Sequence, residues 1–300
     1  MLIKKETLNV IMTPGAKAVA DAKPVFRKRT ADAVLFFGTT AIIAATTVFL
    51  LFPVIVTVFM AFDARDYIGP FPPTELSMQW FVQLYESDYL WSAFNTSLLL
   101  ATATTIAATA IGALAALAIS WMSPRWRDLV TTTFLSPLVL PGVIIGFGLL
   151  MFLSIFDWLP VFPKLFAGHL IITLPFTIRM ALVGLSGISE ALREAALSLG
   201  ANERQVFFTI TLPLAKNGIA AGAVFAFATS MDDVAISLFL SDFNTYTLPV
   251  ALTSLIKSSF DLTIATAAVA LMGLTLVLLI VLDRVLGIER AIGHGTYRTR

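Results

Sequence analysis

Two adjacent aspartates, Asp232 and Asp233, stand inside the apolar run 217–241. An ionisable side chain surrounded by hydrocarbon is expensive, so each is a candidate for function. At about 100° per residue on a helix, the two point in different directions. Thr229, Asp233, Ser237 and Ser241 recur every four residues, which makes a slowly drifting polar stripe if the run is one helix. The stripe places Asp233 on a wet path or a seam between subunits, and Asp232 on the same path or in a hydrogen bond to a neighbouring helix. Acidic walls lower the Born cost of moving a cation through a low-dielectric layer. The competing reading is structural: aspartates that hold helices together. Arg179 is the candidate ion-pair partner. At 1.5 Å per residue it lies roughly 13 Å from one end of its run and Asp233 roughly 24 Å from the same side, so a direct pair needs a tilt or a kink. Pro175, one turn earlier, can supply one. Otherwise Arg179 snorkels outward.

Other chemistries find no residues. The chain has no cysteine, which excludes disulfides and thiolate sites, and its two histidines, His169 and His294, lack ligand spacing. No metal and no cofactor is expected. There is no G-x4-G-K-[ST] loop, so the chain is not expected to bind ATP. No nucleophile–base–orienter set or carboxylate pair stands out, and an enzyme is not expected. A net charge of +1 gives no footprint for nucleic acid.

The elements that position the charged residues are long. Hydrophobic residues make up 58% of the 300, charged residues 13%, and mean hydropathy is +0.88. The apolar residues are gathered into runs of at least the ~20 residues that a spanning helix needs. Six spans are read, at about 34–62, 94–121, 129–156, 166–188, 217–241 and 262–286. The basic N-terminal stretch runs to Arg29, and the apolar run after it is too long for a cleaved signal. Of the basic residues, Lys4, Lys5, Lys17, Lys23, Arg27, Lys28, Arg29, Arg125, Arg127, Arg193, Arg204, Lys216, Arg284, Arg290, Arg298 and Arg300 fall on one side. Only Arg65, Lys164 and Lys257 fall on the other. Positive charge marks the cytoplasmic side, so both termini are expected there. The outside segment 63–92 is acidic (Asp63, Asp66, Glu75, Glu86 and Asp88) and carries Trp80, Tyr85, Tyr89 and Trp91. It reads as an interfacial helix with an aromatic belt, compatible with docking of an external partner.

A polar segment, "EAALSLGANERQVFFTITLP" at 194–213, sits between the fourth and fifth spans. Ser189 is a candidate N-cap, with Glu190 and Glu194 at the favourable end of the helix dipole. The helix should stop at Gly200, where a left-handed residue is least strained. Asn202 and Gln205 form a capping-box pattern for a second helix ending near Leu212-Pro213. Ala191, Leu192, Ala195, Ala196 and Leu199 give the first helix a face of small and apolar side chains. A loop helix packed on its own bundle satisfies the same pattern, and a DNA-reading helix-turn-helix is formally compatible with it.

Glu194, Ala195, Ala196, Gly200, Ile210, Leu212 and Pro213 fit E-A-A-x3-G-x9-I-x-L-P, which resembles the cytoplasmic loop of inner-membrane permeases in binding-protein-dependent ABC importers. The resemblance extends through "LSPLVLPGVIIGFGLL", "AFATSMDDVAISLFLSD" and "LPVALTSLIKSSFDLTIATAAVAL", which look like the spermidine/putrescine branch. Permeases for iron(III), phosphonates and opines share much of it. The resemblance implies an all-α, six-span type I importer permease whose loop couples to separate ABC ATPase subunits. It further implies a second permease subunit, expected to be a different chain, and a periplasmic substrate-binding protein. By the same resemblance residues 1–31 are a cytoplasmic tail, 32–288 the permease domain with a coupling hairpin at about 189–213, and 289–300 a second cytoplasmic tail. The resemblance also implies location in the bacterial inner membrane and a polyamine as solute, with an ABC permease for iron(III), a phosphonate or an opine as the alternative. The alternative of another class is a self-sufficient, ion-coupled carrier using Asp232 and Asp233.

Two further segments bear on the path. Pro137, Pro141, Gly142, Gly146 and Gly148 in span three suit either close helix packing or a bendable pore-lining helix. Leu248-Pro249 should start a short outer helix, read by resemblance as a gate beneath the binding protein.

Overall fold

The computed structural model describes residues 25–258 and 261–286, and every described element is helical or irregular apart from one isolated bridge between Asp63 and Leu76. Lys4, Lys5, Lys17, Lys23, Arg290, Arg298, Arg300, His294 and the segment 289–300 lie outside the described residues. The chain divides into two units after Val56. Helix α1 runs Val25–Ala61, so it begins inside the tail drawn to residue 31. Its segment Asp32–Ala61 is apolar enough to cross a membrane and exposes Phe36, Phe37, Phe49 and Phe52.

In the second unit, α2 (Gln79–Glu86) lies after a turn-rich loop, and α3 (Asp88–Ser120) follows, started by Ser87, whose hydroxyl accepts from the Leu90 amide at 3.3 Å. Then come α4 (Pro124–Leu135), a 3-10 turn (Ser136–Leu138), α5 (Gly142–Leu153) and α6 (Val161–Ser186). The hairpin arms α7 (Glu190–Ser198) and α8 (Glu203–Val206) lead through a wide π turn (Phe207–Thr211) into α9 (Leu212–Asp232). The chain finishes with α10 (Ala235–Leu240), α11 (Leu248–Ser258) and α12 (Thr263–Leu286).

Among the described residues, Asp32–Ala61, Asp88–Ser120, Val161–Ser186 and Glu203–Asp232 are each long and apolar enough to span a bilayer. The pair Pro124–Leu138 and Gly142–Leu153 adds a fifth if it is one span, and α12, 24 residues long, occupies the place of the sixth.

Helices α3, α6 and α9 form the centre of the second unit. Without a hydrophobic force between helices in lipid, small side chains that admit close approach must hold them. The buried face of α3 carries Ala93, Ser97, Ala101, Thr104, Ala108, Gly112 and Ala116, three or four residues apart. Thr177 on α6 donates its hydroxyl to the Ala108 carbonyl at 2.9 Å. At Gly218 on α9, a Cβ would lie 2.6 Å from both Gly184 Cα and the Met180 carbonyl of α6, so these two backbones nearly touch. Large apolar side chains point outward instead, as a lipid-facing surface requires.

Three expectations are corrected. Span three is not a single rod over 129–156: α4 with its 3-10 turn and α5 meet at 94°. Pro141 withholds an amide and pushes Leu140 out of helical geometry. Gly142 and Gly146 do serve packing, since Cβ atoms there would meet Ala235 of α10 at 3.0 Å. Span five, read as continuous over 217–241, breaks at Asp233, whose backbone is extended (φ −68°, ψ 120°). Trp80, assigned to an aromatic belt, is buried; its indole donates to the Asp63 carbonyl at 2.8 Å. Tyr85 and Trp91 remain exposed. Asp63 is itself buried and paired with Arg65, whose Nε donates to both carboxylate oxygens at 2.9 Å. That pairing holds the Asp63 carboxyl below its ordinary range, so its contribution to stability is present at neutral pH and is lost only in acid.

Candidate functional site

The hairpin between α6 and α9 is built by local rules. Ser189 occupies the N-cap position of α7 with extended backbone, but its hydroxyl makes no capping bond. At the other end, Gly200 takes φ +90°. The Ala201 amide donates to the Ala196 carbonyl at 3.1 Å and the Gly200 amide to the Leu197 carbonyl at 3.0 Å, a Schellman pair. Asn202 then starts α8: its Oδ1 accepts from the Gln205 amide at 2.9 Å, and Gln205 Oε1 accepts from the Asn202 amide at 2.8 Å. Asn202→Ala removes one half of this box and costs about 1 kcal/mol. Hydrogen exchange at the Gln205 amide should then speed up by roughly fivefold, the factor about 1 kcal/mol commands.

The second arm does not stop at Leu212-Pro213, as the sequence suggested. Pro213 lacks an amide and its ring would press on the carbonyl four residues back. The chain answers with the π turn at Phe207–Thr211 and continues into α9. A contact not anticipated closes the hairpin: Arg193 on α7 pairs with Glu203 on α8, with Nε to Oε2 at 3.3 Å. The pair is partly exposed and screened, so it orients the arms more than it stabilises them.

Among the described residues, nothing covers most of the small-residue face of α7. Leu199 is 89% exposed, Leu192 and Phe208 about half so, and Ala191, Glu194 and Ala195 are exposed. Ala196, Ile210 and Leu212 are half-buried, and Pro213 is exposed. Behind the hairpin, a cavity of about 640 Å³ opens between α3, α4 and α6, bordered by Arg127, Asp128, Arg193 and Glu203.

The second cluster surrounds the break in span five. Asp233 does not join a helical stripe with Thr229 and Ser241, because the helix ends before it. Its Oδ2 instead accepts from the Ile236 and Ser237 amides at 3.0 Å each and from the Ser237 hydroxyl at 3.2 Å, capping α10. Asp232 is exposed and, among the described residues, makes no hydrogen bond or ion pair. Thr229 is half-buried, and the Ser241 hydroxyl has no partner among the described residues. Arg179 is exposed and pairs with neither aspartate; the ring beside Asp233 is that of His169, with Nε2 at 3.8 Å from Oδ2. His169 is buried on α6, with Nδ1 at 2.8 Å from the Ser230 hydroxyl and Nε2 at 2.9 Å from the Ser237 hydroxyl. The sequence reading weighed His169 only as a metal ligand. Its place within the fourth span was the available signal.

Paired and broken helices around small-residue contacts, with a capped polar hairpin between two spans, make a multi-span membrane protein. Residues 108–288 match the family model described as the binding-protein-dependent transport system inner membrane component, and the chain belongs to that family. It is therefore a multi-pass inner-membrane transport subunit and not an enzyme. The spermidine/putrescine transport system permease protein PotC of Escherichia coli K12 is 31% identical over 202 residues, covering 67% of this chain and 76% of that protein. The putrescine transport system permease protein PotI of the same organism is 27% identical over 258 residues, covering 83% and 88%. Among solved structures, a chain of the bacterial alginate ABC transporter in complex with an alginate pentasaccharide-bound periplasmic protein superposes with a TM-score of 0.66 at 22% identity. That match covers 87% of this chain and 96% of the other, and it shows the fold. Membership of this family sets aside the self-sufficient carrier, because such systems depend on a binding protein and an ATPase.

Proposed function

We propose that this chain is one of two permease subunits of an ATP-driven polyamine importer, paired with a different permease chain. The observation that carries the reading is the hairpin: a doubly capped turn whose small-residue face is presented and uncovered. An ATPase subunit receives that face, with Glu194, Ala195, Ala196 and Gly200 on the contact and Ile210, Leu212 and Pro213 carrying the movement into α9. Both termini, the flanking segments 1–31 and 289–300, and the hairpin lie in the cytoplasm, as the distribution of basic residues supports. A periplasmic binding protein delivers the solute to the outer face, where α11 stands over the path.

Asp232, Asp233, Thr229, Ser237 and Arg179 lie on or beside the translocation path or the seam with the second permease. Asp232 is the exposed carboxylate that meets the cation, while Asp233 and Ser237 shape the break. Arg179, exposed on α6, stays clear of the solute and points to the cytoplasmic side.

Uptake of labelled putrescine and spermidine by the native host tests the substrate. Deleting the gene in a strain stripped of other polyamine importers should abolish uptake of at least one, and complementation should restore it. Undiminished uptake sinks the polyamine assignment, and co-purification of an ATPase with the tagged chain still decides the importer.

A further inference from the structure

We infer that His169 is a positioning residue: its imidazole clamps the two pieces of the fifth span across their break and so holds the Asp232 carboxylate outside the packed core. The inference rests on the reading that Asp232 lies on the path.

Both ring nitrogens are engaged, one on each side of the break. Nδ1 meets Ser230, in the last turn of α9, and Nε2 meets Ser237, in α10. In an unbroken helix, residues seven apart are separated by about 10.5 Å along the axis. One imidazole with two hydrogen bonds of ordinary length reaches across roughly 8 Å. The ring spans less than that axial spacing, and in the structure it bridges the two pieces across the break. Moving the pieces relative to one another strains or strips a bond from a buried ring.

One proton arrangement satisfies every group. Ser237 donates its hydroxyl hydrogen to Asp233 and accepts from Nε2–H, and Ser230 donates to the unprotonated Nδ1. The Asp233 carboxylate is thereby committed to the α10 amides and Ser237. Small residues seat the clamped piece: Cβ atoms on Gly146 and Gly168 would meet Ala235, Ile236 and Leu240 of α10 at 3.0 Å or closer. Of the two adjacent aspartates, only Asp232 is left to face outward. The pair thus divides its work, one carboxylate building the break and the other presented by it, with His169 holding the arrangement from α6.

The chain has no cysteine, so Asp232→Cys gives it a single thiol. The test uses the whole transporter in native membrane vesicles and a membrane-impermeant, positively charged methanethiosulfonate, read as a mass shift of this chain alone. Adding His169→Ala should change the labelling rate at position 232 by about tenfold or more, as expected when a held local structure opens. The rate at Asp157→Cys, in the exposed turn after α5, should not change. His169→Gln, which keeps one donor and one acceptor, should return the rate toward that of the parent. Equal rates at position 232 with and without the imidazole overturn the clamp. If His169→Ala fails to accumulate, Ser230→Ala and Ser237→Ala each remove one of the two bonds, and unchanged labelling in both overturns it equally. Failure of the underlying reading has a separate signature. A thiol at position 232 that labels readily but is slowed by neither putrescine nor spermidine removes Asp232 from the path, while the rate comparison still decides the clamp.

Discussion

Gly200→Val leaves the chain in the membrane and lowers uptake at least about tenfold. The reason is confined to the backbone. Gly200 holds φ +90°, and a Cβ placed there would meet nothing within 4 Å, so valine is not refused for lack of room. It is refused because an L side chain in the left-handed region costs roughly 1–2 kcal/mol, and branching at Cβ adds to that. The Schellman bonds from Gly200 and Ala201 are then lost and the arms splay, which on the proposed coupling role stops an ATPase stroke from reaching α9. Gly200→Asn makes the argument specific, because asparagine tolerates the left-handed region and should keep most of the uptake. Both variants are compared at equal membrane abundance. Normal uptake by the valine variant removes the hinge role of Gly200.

Gly218→Leu acts at the opposite extreme, on assembly of the fold. A Cβ at Gly218 would stand 2.6 Å from two backbone atoms of α6, and backbone cannot swing aside as a side chain tip can. Helices α6 and α9 must separate, which opens the contacts beside it at Gly184 and Gly222. Overpacking typically costs 1–3 kcal/mol and more where nothing yields. The chain's steady-state level in the membrane should fall several-fold, since a loss of ~1–2 kcal/mol is enough to change abundance by that much. Gly148→Leu is the matched control, because a Cβ there meets nothing within 4 Å. Equal abundance of the two leucine variants shows that the Gly184–Gly218 approach does not hold the helices together.

What was legible in the sequence follows from which forces are local. The hairpin could be read nearly residue by residue, because capping and the left-handed stop depend on neighbours within four positions: Gly200, Asn202 and Gln205 behave as their types require. Of the six spans read from length and hydropathy, four stand among the described residues, and a fifth if the bent pair is one span. The breaks were harder. At 137–141 the two prolines, Pro137 and Pro141, gave the signal. At Asp233 the sequence was read as a period-four stripe, and in the structure the aspartate caps a new helix instead. The local sequence does not contain the nearest polar partner of the break, His169, which lies more than sixty residues away and contacts Ser230 and Ser237. Trp80 went astray for a related reason. An aromatic residue near a membrane edge suits a belt or a buried anchor equally well, and only the Asp63 carbonyl settled which. The uncovered face of α7 marks another limit of one chain: its apolar side chains have meaning only with a second protein laid against them.

The π turn between the hairpin and α9 sets the direction in which the hairpin points. A helix advances about 100° for each residue. The wide turn at Phe207–Thr211 holds a residue that an ordinary helix would not need, so it acts as an indexing step between two segments locked by different neighbours. Helix α9 is fixed in rotation by its glycine contacts with α6. Deleting one residue from the wide turn would leave α9 in place and swing the hairpin by about a quarter of a circle. The compass bearing of the hairpin is therefore set by residue count rather than by residue type, and on the proposed coupling role so is the spot on an ATPase that it can reach.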